Sequence, residues 1–241
     1  MFKKINLSSK ILLVLALTLV LSACTNSNSL NNQTNSLNNQ SNNINNQTNN
    51  MDNNNTNNEN QRTVLDQEDL AQQYQYVVLK TNQGDIKIKL YTDKTPITAN
   101  NFLNLAQEGF YNDTKFHRII EGFMIQGGDP LTKDDEKKNS WGTGSPGYVI
   151  PNEDVQGVSN VEGTISMANA GPDTGGSQFF INTADNVALD FDKQPLQSQH
   201  SVFGEVVEGM DVVNKIESLE TDPRDRPLED AVITDVELLK D

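Results

Sequence analysis

Apolar and polar residues follow three different patterns along this chain. Ile11 to Leu21 (ILLVLALTLVL) is a run of 11 residues, apolar but for Thr18. From Asn26 to Gln61 the pattern reverses, with 19 Asn and 4 Gln in 36 positions. A weak seven-residue repeat there places Leu30, Leu37, Ile44 and Met51 as one apolar residue per repeat. From Tyr76 onward the pattern becomes periodic. Tyr76 to Thr81 is β-prone, Asn82-Gln83-Gly84 can turn, and Asp85 to Tyr91 alternates. Ile86, Ile88 and Leu90 then face one way and Lys87 and Lys89 the other, which predicts a hairpin with one solvated face.

A helix follows. Thr95 suits the N-cap and Pro96 the first helical position. Ile97, Phe102, Leu103, Leu105 and Ala106 form its apolar stripe, and Gly109 fits just past its end. Beyond Thr114, short apolar runs alternate with Gly, Pro and Asn clusters: Phe116–Ile120, Thr164–Ala168, Phe179–Thr183 and Ser201–Val207. A second helix is expected at Met210–Ile216 and a last strand at Ala231–Leu239. Many short strands with two helices predict a mainly β, antiparallel barrel capped by helices, not a layered α/β fold.

The first two patterns predict an address and a tether. Lys3, Lys4 and Lys10 precede the apolar run, which at 11 residues is too short to span about 30 Å of hydrocarbon but suits a signal-peptide core. Leu21-Ser22-Ala23-Cys24 resembles the lipobox of bacterial lipoproteins, and Cys24 is the only cysteine in 241 residues. That resemblance implies lipidation of Cys24 and a lipid-anchored protein on the extracytoplasmic face of the cell membrane. Residues 26–61 cannot bury enough apolar surface to offset their ordering entropy, so they read as a disordered spacer. The expected organisation is a lipoprotein signal peptide at 1–23, a lipidated N-terminus and Asn/Gln-rich linker at 24–70, and a folded domain at 71–241.

Composition narrows the function. One cysteine excludes a disulfide framework within the chain. The domain from Ala71 carries 28 acidic and 14 basic residues, which argues against nucleic acid as a partner because phosphate binding needs clustered cations. Two histidines leave few zinc ligands, so no metal site is expected. Asp134, Asp135 and Glu136 lack the spacing of a Ca²⁺ loop. Gly142 to Gly147 fits G-x-G-x-x-G but follows a charged loop and carries Pro146, so it reads as a turn-rich loop.

Two stretches carry the chemistry. They are Phe116-His117-Arg118-Ile119-Ile120-Glu121-Gly122-Phe123-Met124-Ile125-Gln126-Gly127-Gly128-Asp129 and Ser166-Met167-Ala168-Asn169-Ala170-Gly171-Pro172-Asp173-Thr174-Gly175-Gly176-Ser177-Gln178-Phe179-Phe180-Ile181-Asn182-Thr183. They resemble the two signature segments of the cyclophilins, the peptidyl-prolyl cis-trans isomerases, and the resemblance covers roughly 73–241.

The resemblance implies a closed eight-stranded antiparallel barrel capped by two helices. It implies catalysis of X–Pro bond rotation without a cofactor, with proline-containing polypeptides as partners. It makes Arg118 the catalytic arginine, with Gln126, Phe123 and His117 beside it. It assigns Phe123, Met124, Phe180 and Leu189 to the proline pocket, and His200 to its wall. Gln126 and Gln178 would hold substrate backbone along the strip Ala168, Asn169 and Ala170. His117 has two readings, a substrate role or a structural one. Ala188 stands where strong cyclosporin binders of the family carry tryptophan, so weak cyclosporin binding is expected. Glu121 replaces a common proline, and the loops at 131–147 and 190–199 are longer than in compact members. The competing reading is a non-catalytic chaperone or scaffold that binds Pro-containing segments with the same pocket.

Overall fold

The structure, a computed structural model, describes residues 67–193 and 199–240. The export segment, Cys24 and the Asn-rich spacer lie outside the described residues, as does part of the loop at 190–199.

The hairpin forms where the alternation places it. β1 (Tyr76–Thr81) pairs with β2 (Gly84–Leu90), and Ile86, Ile88 and Leu90 are buried while Lys89 is exposed. The remaining elements are α1 (Pro96–Gln107), β3 (Thr114–Lys115), β4 (Arg118–Ile120), β5 (Met124–Gly127), β6 (Thr164–Met167), β7 (Phe179–Asn182), β8 (Val202–Glu208), α2 (Met210–Glu217) and β9 (Val232–Leu239). All pairings are antiparallel, in one nine-stranded sheet of order β3-β9-β1-β2-β8-β6-β7-β5-β4. Its two edge strands, β3 and β4, are neighbours in the chain. Between them the Phe116 amide donates to the Ala231 carbonyl and the His117 amide to the Gln126 carbonyl. The segment 114–120 thus changes partner from β9 to β5 at Phe116–His117.

One sheet face and α1 enclose the core. Phe102 on α1 stacks on Tyr111 at 4.8 Å between ring centres and meets Phe179 edge-on at 5.5 Å. Phe116 and Tyr111 also meet Phe179 edge-on. Offset and edge-on pairs of this kind add about 0.5–1.5 kcal/mol each beyond area burial.

Three local expectations need correction. Thr95 occupies the N-cap position of α1, but its side chain makes no cap hydrogen bond. Its hydroxyl turns back to the Tyr91 carbonyl, and the carboxylate of Glu153 takes the Ile97 and Thr98 amides instead. A carboxylate there also suits the positive end of the helix dipole. Ile97 is exposed, because the stripe facing the core starts at Thr98 and Ala99. The packed structure also begins before residue 71. The Leu70 and Ala71 amides donate to Asn100 Oδ1, and Glu68 exchanges two hydrogen bonds with Asn104. Leu70 itself is 1% exposed. Residues 67–71 therefore form a strap on α1, held by an asparagine ladder that apolar periodicity does not reveal.

The strap is part of the domain's stability. Leu70→Ala should lower unfolding free energy by about 2–4 kcal/mol, the cost of truncating a fully buried leucine, as read from urea denaturation. A loss below about 0.5 kcal/mol would show that the strap is dispensable.

Candidate active site

Strand register assembles the site from residues far apart in the chain. In antiparallel ladders directly paired residues share a sheet face. Arg118 pairs with Gln126, Gln126 with Phe180, and Phe180 with Ser166, so these four lie in one row across β4, β5, β7 and β6. Met124, two positions before Gln126, shares their face. Ile125, Ile165 and Ile181 point the other way and are fully buried in the core. The face opposite the aromatic core thus carries the polar and apolar side chains singled out from the sequence.

The apolar group gathers at one end of that row. Met124 and Phe180 are buried, and Phe180 meets the His200 ring edge-on at 5.2 Å. His200 Nδ1 lies 3.0 Å from the Met167 carbonyl, an acceptor only, so Nδ1 carries the proton. The His200 amide donates to the Leu189 carbonyl. Leu189 ends a short 3₁₀ turn (Val187–Leu189) and, like Phe123, is half-buried. Asn186 ties this turn to Phe123, just before β5, and to the end of β7 by donating to the Phe123 carbonyl and to Asn182 Oδ1. Beneath the turn, the buried carboxylate of Asp190 accepts from Ser159 and from the amide and side chain of Asn160, and Ser166 donates to Asn160. Ala188 is exposed on the turn.

A polar group occupies the other end. Gln126 Nε2 donates to Gln178 Oε1 at 3.0 Å, and Gln178 Nε2 donates to the Gly142 and Gly144 carbonyls. These residues line a cavity of 430 Å³, with Ala168, Asn169 and Ala170 on its opposite wall. Asn169 is fixed by its side-chain bond to the Gln199 carbonyl. Phe123, Met124, Phe180 and Leu189 do not line this cavity; they stand beside it across Gln126.

Asp129 holds the near wall. It is fully buried, and its carboxylate accepts from the Leu131, Gly142 and Gly144 amides. A Cβ at position 144 would lie 2.0 Å from Asp129 Oδ1, so only glycine admits the carboxylate. Gly142 has φ +92°, a second reason for glycine. The G-x-G-x-x-G pattern therefore serves a buried aspartate, and its residues 142 and 144 are the ones the carboxylate requires.

Arg118 is half-exposed at the end of the row, beside Gln126, with Nε 3.7 Å from Asp225 Oδ2. His117 is 4% exposed, and neither ring nitrogen meets a hydrogen-bond partner among the described residues. Burial holds its pKa below the ordinary histidine value, helped by the Arg118 charge. The Asp129 carboxylate opposes this, as do the Lys115 carbonyl and Gln178 side chain, which lie near without meeting hydrogen-bond geometry. Burial likewise lowers the pKa of His200, against its contact with Met167. Among the described residues no three His, Cys, Asp or Glu side chains are grouped as metal ligands.

The family described as cyclophilin type peptidyl-prolyl cis-trans isomerase/CLD matches residues 76–238. The chain belongs to this family. Peptidyl-prolyl cis-trans isomerase B of Escherichia coli K12 is 45% identical over 168 residues, covering 66% of this chain and 97% of that protein. Human peptidyl-prolyl cis-trans isomerase-like 1 is 41% identical over 163 residues, covering 65% and 88%. Isomerase-like 2 of Rhizopus delemar is 39% identical over 190 residues, but the matching region is only 32% of its length. A crystal structure of a Cryptosporidium parvum cyclophilin matches with a TM-score of 0.61 at 31% identity, over 70% of this chain and 99% of that one. The same parasite protein was also solved in the presence of the dipeptide Ala-Pro.

In this cyclophilin the residues singled out from the sequence gather on one sheet face and the loops beside it, with His117 buried next to Arg118; Cys24 lies outside the described residues. Sequence reasoning missed Asp129, Asn186 and the Asn160–Asp190 pair, which support the site from beneath. The contacts that tie them to other parts of the site reach 13 to 63 residues along the chain, and no local spacing signals those contacts.

The two buried, neutral histidines make stability depend on pH. Their native pKa values lie below the ordinary value of 6.5, so in acid the unfolded chain binds protons that the native state refuses. Stability should therefore fall as pH drops through about 6.5, before carboxylates titrate. Urea midpoints at about pH 7.5 and 5.5 should differ, and His200→Gln should shrink the difference. Equal midpoints in the wild type would contradict the neutral assignment.

Proposed function

We propose that the chain accelerates X–Pro bond rotation in exported or surface polypeptides, with Arg118 as the catalytic group. The observation that carries this is the row Arg118–Gln126–Phe180, which places a guanidinium, a carboxamide and an apolar ring side by side on one sheet face. Rotation about a prolyl amide breaks no bond, but it meets a barrier of about 18–20 kcal/mol and takes tens to hundreds of seconds unaided. An acceleration of about 10⁵ requires roughly 7 kcal/mol of preferential stabilisation of the twisted state.

In that state the amide nitrogen regains a lone pair. The Arg118 guanidinium, held at the end of the row by Asp225, can donate to it. Phe123, Met124, Phe180 and Leu189, with His200 behind Phe180, would grip the proline ring. Gln126 would hold the acyl side while the chain lies along Ala168–Ala170. Neither histidine need transfer a proton, which agrees with their neutral, buried state. His117 acts structurally, filling the space beneath Arg118 and against Gly142. The same reading takes the sheet as a barrel closed by the segment 114–120. Ala188 offers no indole to cyclosporin, so binding of that ligand is weak.

Arg118→Ala should cut kcat/KM on an X–Pro peptide by about 10²-fold or more, the scale expected for removing one preorganised donor, with an unchanged circular dichroism spectrum. Equal activity of variant and wild type in an NMR exchange assay would leave the site as a binding module, the chaperone or scaffold reading.

The surface role rests on the Lys-rich start, the apolar run and the lipobox-like Leu21–Cys24. Mass spectrometry of the mature protein from its native membrane should find an N-terminal Cys24 carrying lipid. An unmodified Cys24 within an intact N-terminus would overturn the anchored reading.

A further inference from the structure

A second cavity, of 310 Å³, opens on the other side of Gln126 and Gly142 from the larger one. Arg118, Lys138, Arg224 and Arg226 line it with Trp141 and His117, and no carboxylate does. That is an unusual concentration of positive charge in a domain with twice as many acidic as basic residues.

The surrounding carboxylates are already engaged. Asp222 takes Arg226 at 2.9 Å, Asp225 lies 3.7 Å from Arg118, Asp134 pairs with Lys137, and Asp135 with Lys115. Lys115 also holds Asp230, and these contacts outweigh its burial and raise its pKa. Arg224 is exposed, and its side chain makes no hydrogen bond or ion pair among the described residues. Lys138 feels the field of Asp135 but forms no ion pair among the described residues, and its ammonium lies 5.4 Å from the Trp141 ring centre. Among the described residues, two cations of the cavity wall therefore have no ion-pair partner.

Its walls are fixed in advance. Arg226 donates to the Lys138 carbonyl, Trp141 Nε1 donates to the Asp134 carbonyl, and the Gly142 amide is held by Asp129. Arg226 and Lys115 are therefore struts, while Arg224 and Lys138 are the free charges.

We propose that this cavity is a subsite for an acidic side chain of the bound polypeptide, an Asp or Glu within a few residues of the X–Pro bond. The proposal rests on the isomerase reading above and adds a substrate preference to it. A single recess with two free cations suits one carboxylate; a phosphate backbone would need a continuous basic stripe, which the acidic remainder of the domain denies. Because Arg118 and Gln126 belong to both this recess and the row across the sheet, a carboxylate held here lies on the same chain that the site turns.

The test is a peptide series around one X–Pro bond, with Glu or isosteric Gln at each of the three positions on either side. At one position Glu should raise kcat/KM about three- to ten-fold over Gln, mainly through KM, as expected for a carboxylate meeting two partly exposed cations. Salt near 1 M should erase the difference. Arg224→Ala should bring the Glu/Gln ratio toward one, and Arg224→Glu should invert it. Turnover of all peptides with a ratio near one at every position would overturn the subsite and leave the isomerase reading intact. A ratio that survives Arg224→Glu would overturn it as well. If no peptide were turned over, the isomerase reading would fail, and calorimetric binding of the Glu and Gln peptides would decide the subsite by itself.

Discussion

A carboxylate buried without a cation organises the functional face. Asp129 is inaccessible to water, and among the described residues its carboxylate is met by backbone amides. Burying an ionised group costs several kcal/mol unless hydrogen bonds replace its hydration. The chain must therefore bring the Leu131, Gly142 and Gly144 amides to one point, which folds the long excursion after β5 back over the sheet. The returning loop leaves the Gly142 and Gly144 carbonyls facing Gln178, and Gln178 in turn fixes Gln126. The near wall of the larger cavity, and the side it shares with the cationic recess, both follow from this one desolvated group.

The sheet supplies the other constraint. Strand pleating separates the two faces, so a single strand such as β5 can serve the core with Ile125 and the site with Met124 and Gln126. A one-residue slip of register would exchange those roles. The aromatic cluster of Phe102, Tyr111, Phe116 and Phe179 opposes such a slip, because Phe179 is adjacent in sequence to Phe180 and anchors it from the opposite face. Core packing thus sets the position of a pocket residue to within the stiffness of one peptide unit. Preorganisation of this kind matters most for a reaction with no covalent step, where orientation and electrostatics do all the work.

What could be read from the sequence was what short-range patterns carry. Ile86, Ile88 and Leu90 disclosed their strand by alternation, and Met210 to Ile216 disclosed a helix that the structure extends by one residue. The candidate site residues could be named because two contiguous segments hold nearly all of them. The supports were not, because their partners are remote: Glu153 caps a helix 55 residues earlier, and Arg226 braces a carbonyl 88 residues away. The glycines at 142 and 144 were visible as a motif, but their reason, a carboxylate occupying the space of a Cβ, exists only in three dimensions.

The distribution of charge follows the same division between local and remote. The acidic surplus is a whole-domain property that composition reports. Arg224 and Lys138 are 86 positions apart, and only the Arg226 strut and the Asp129-held loop bring them to one recess. Against a negative surface, two uncompensated cations form a local potential well with steep walls. Such a well selects a compact anionic group and discriminates poorly beyond its rim, since salt screens charges past about 8–10 Å. A substrate carboxylate would therefore gain only when the peptide already lies across Gln126. In that arrangement the recess adds affinity to correctly seated chains without attracting polyanions to the domain at large.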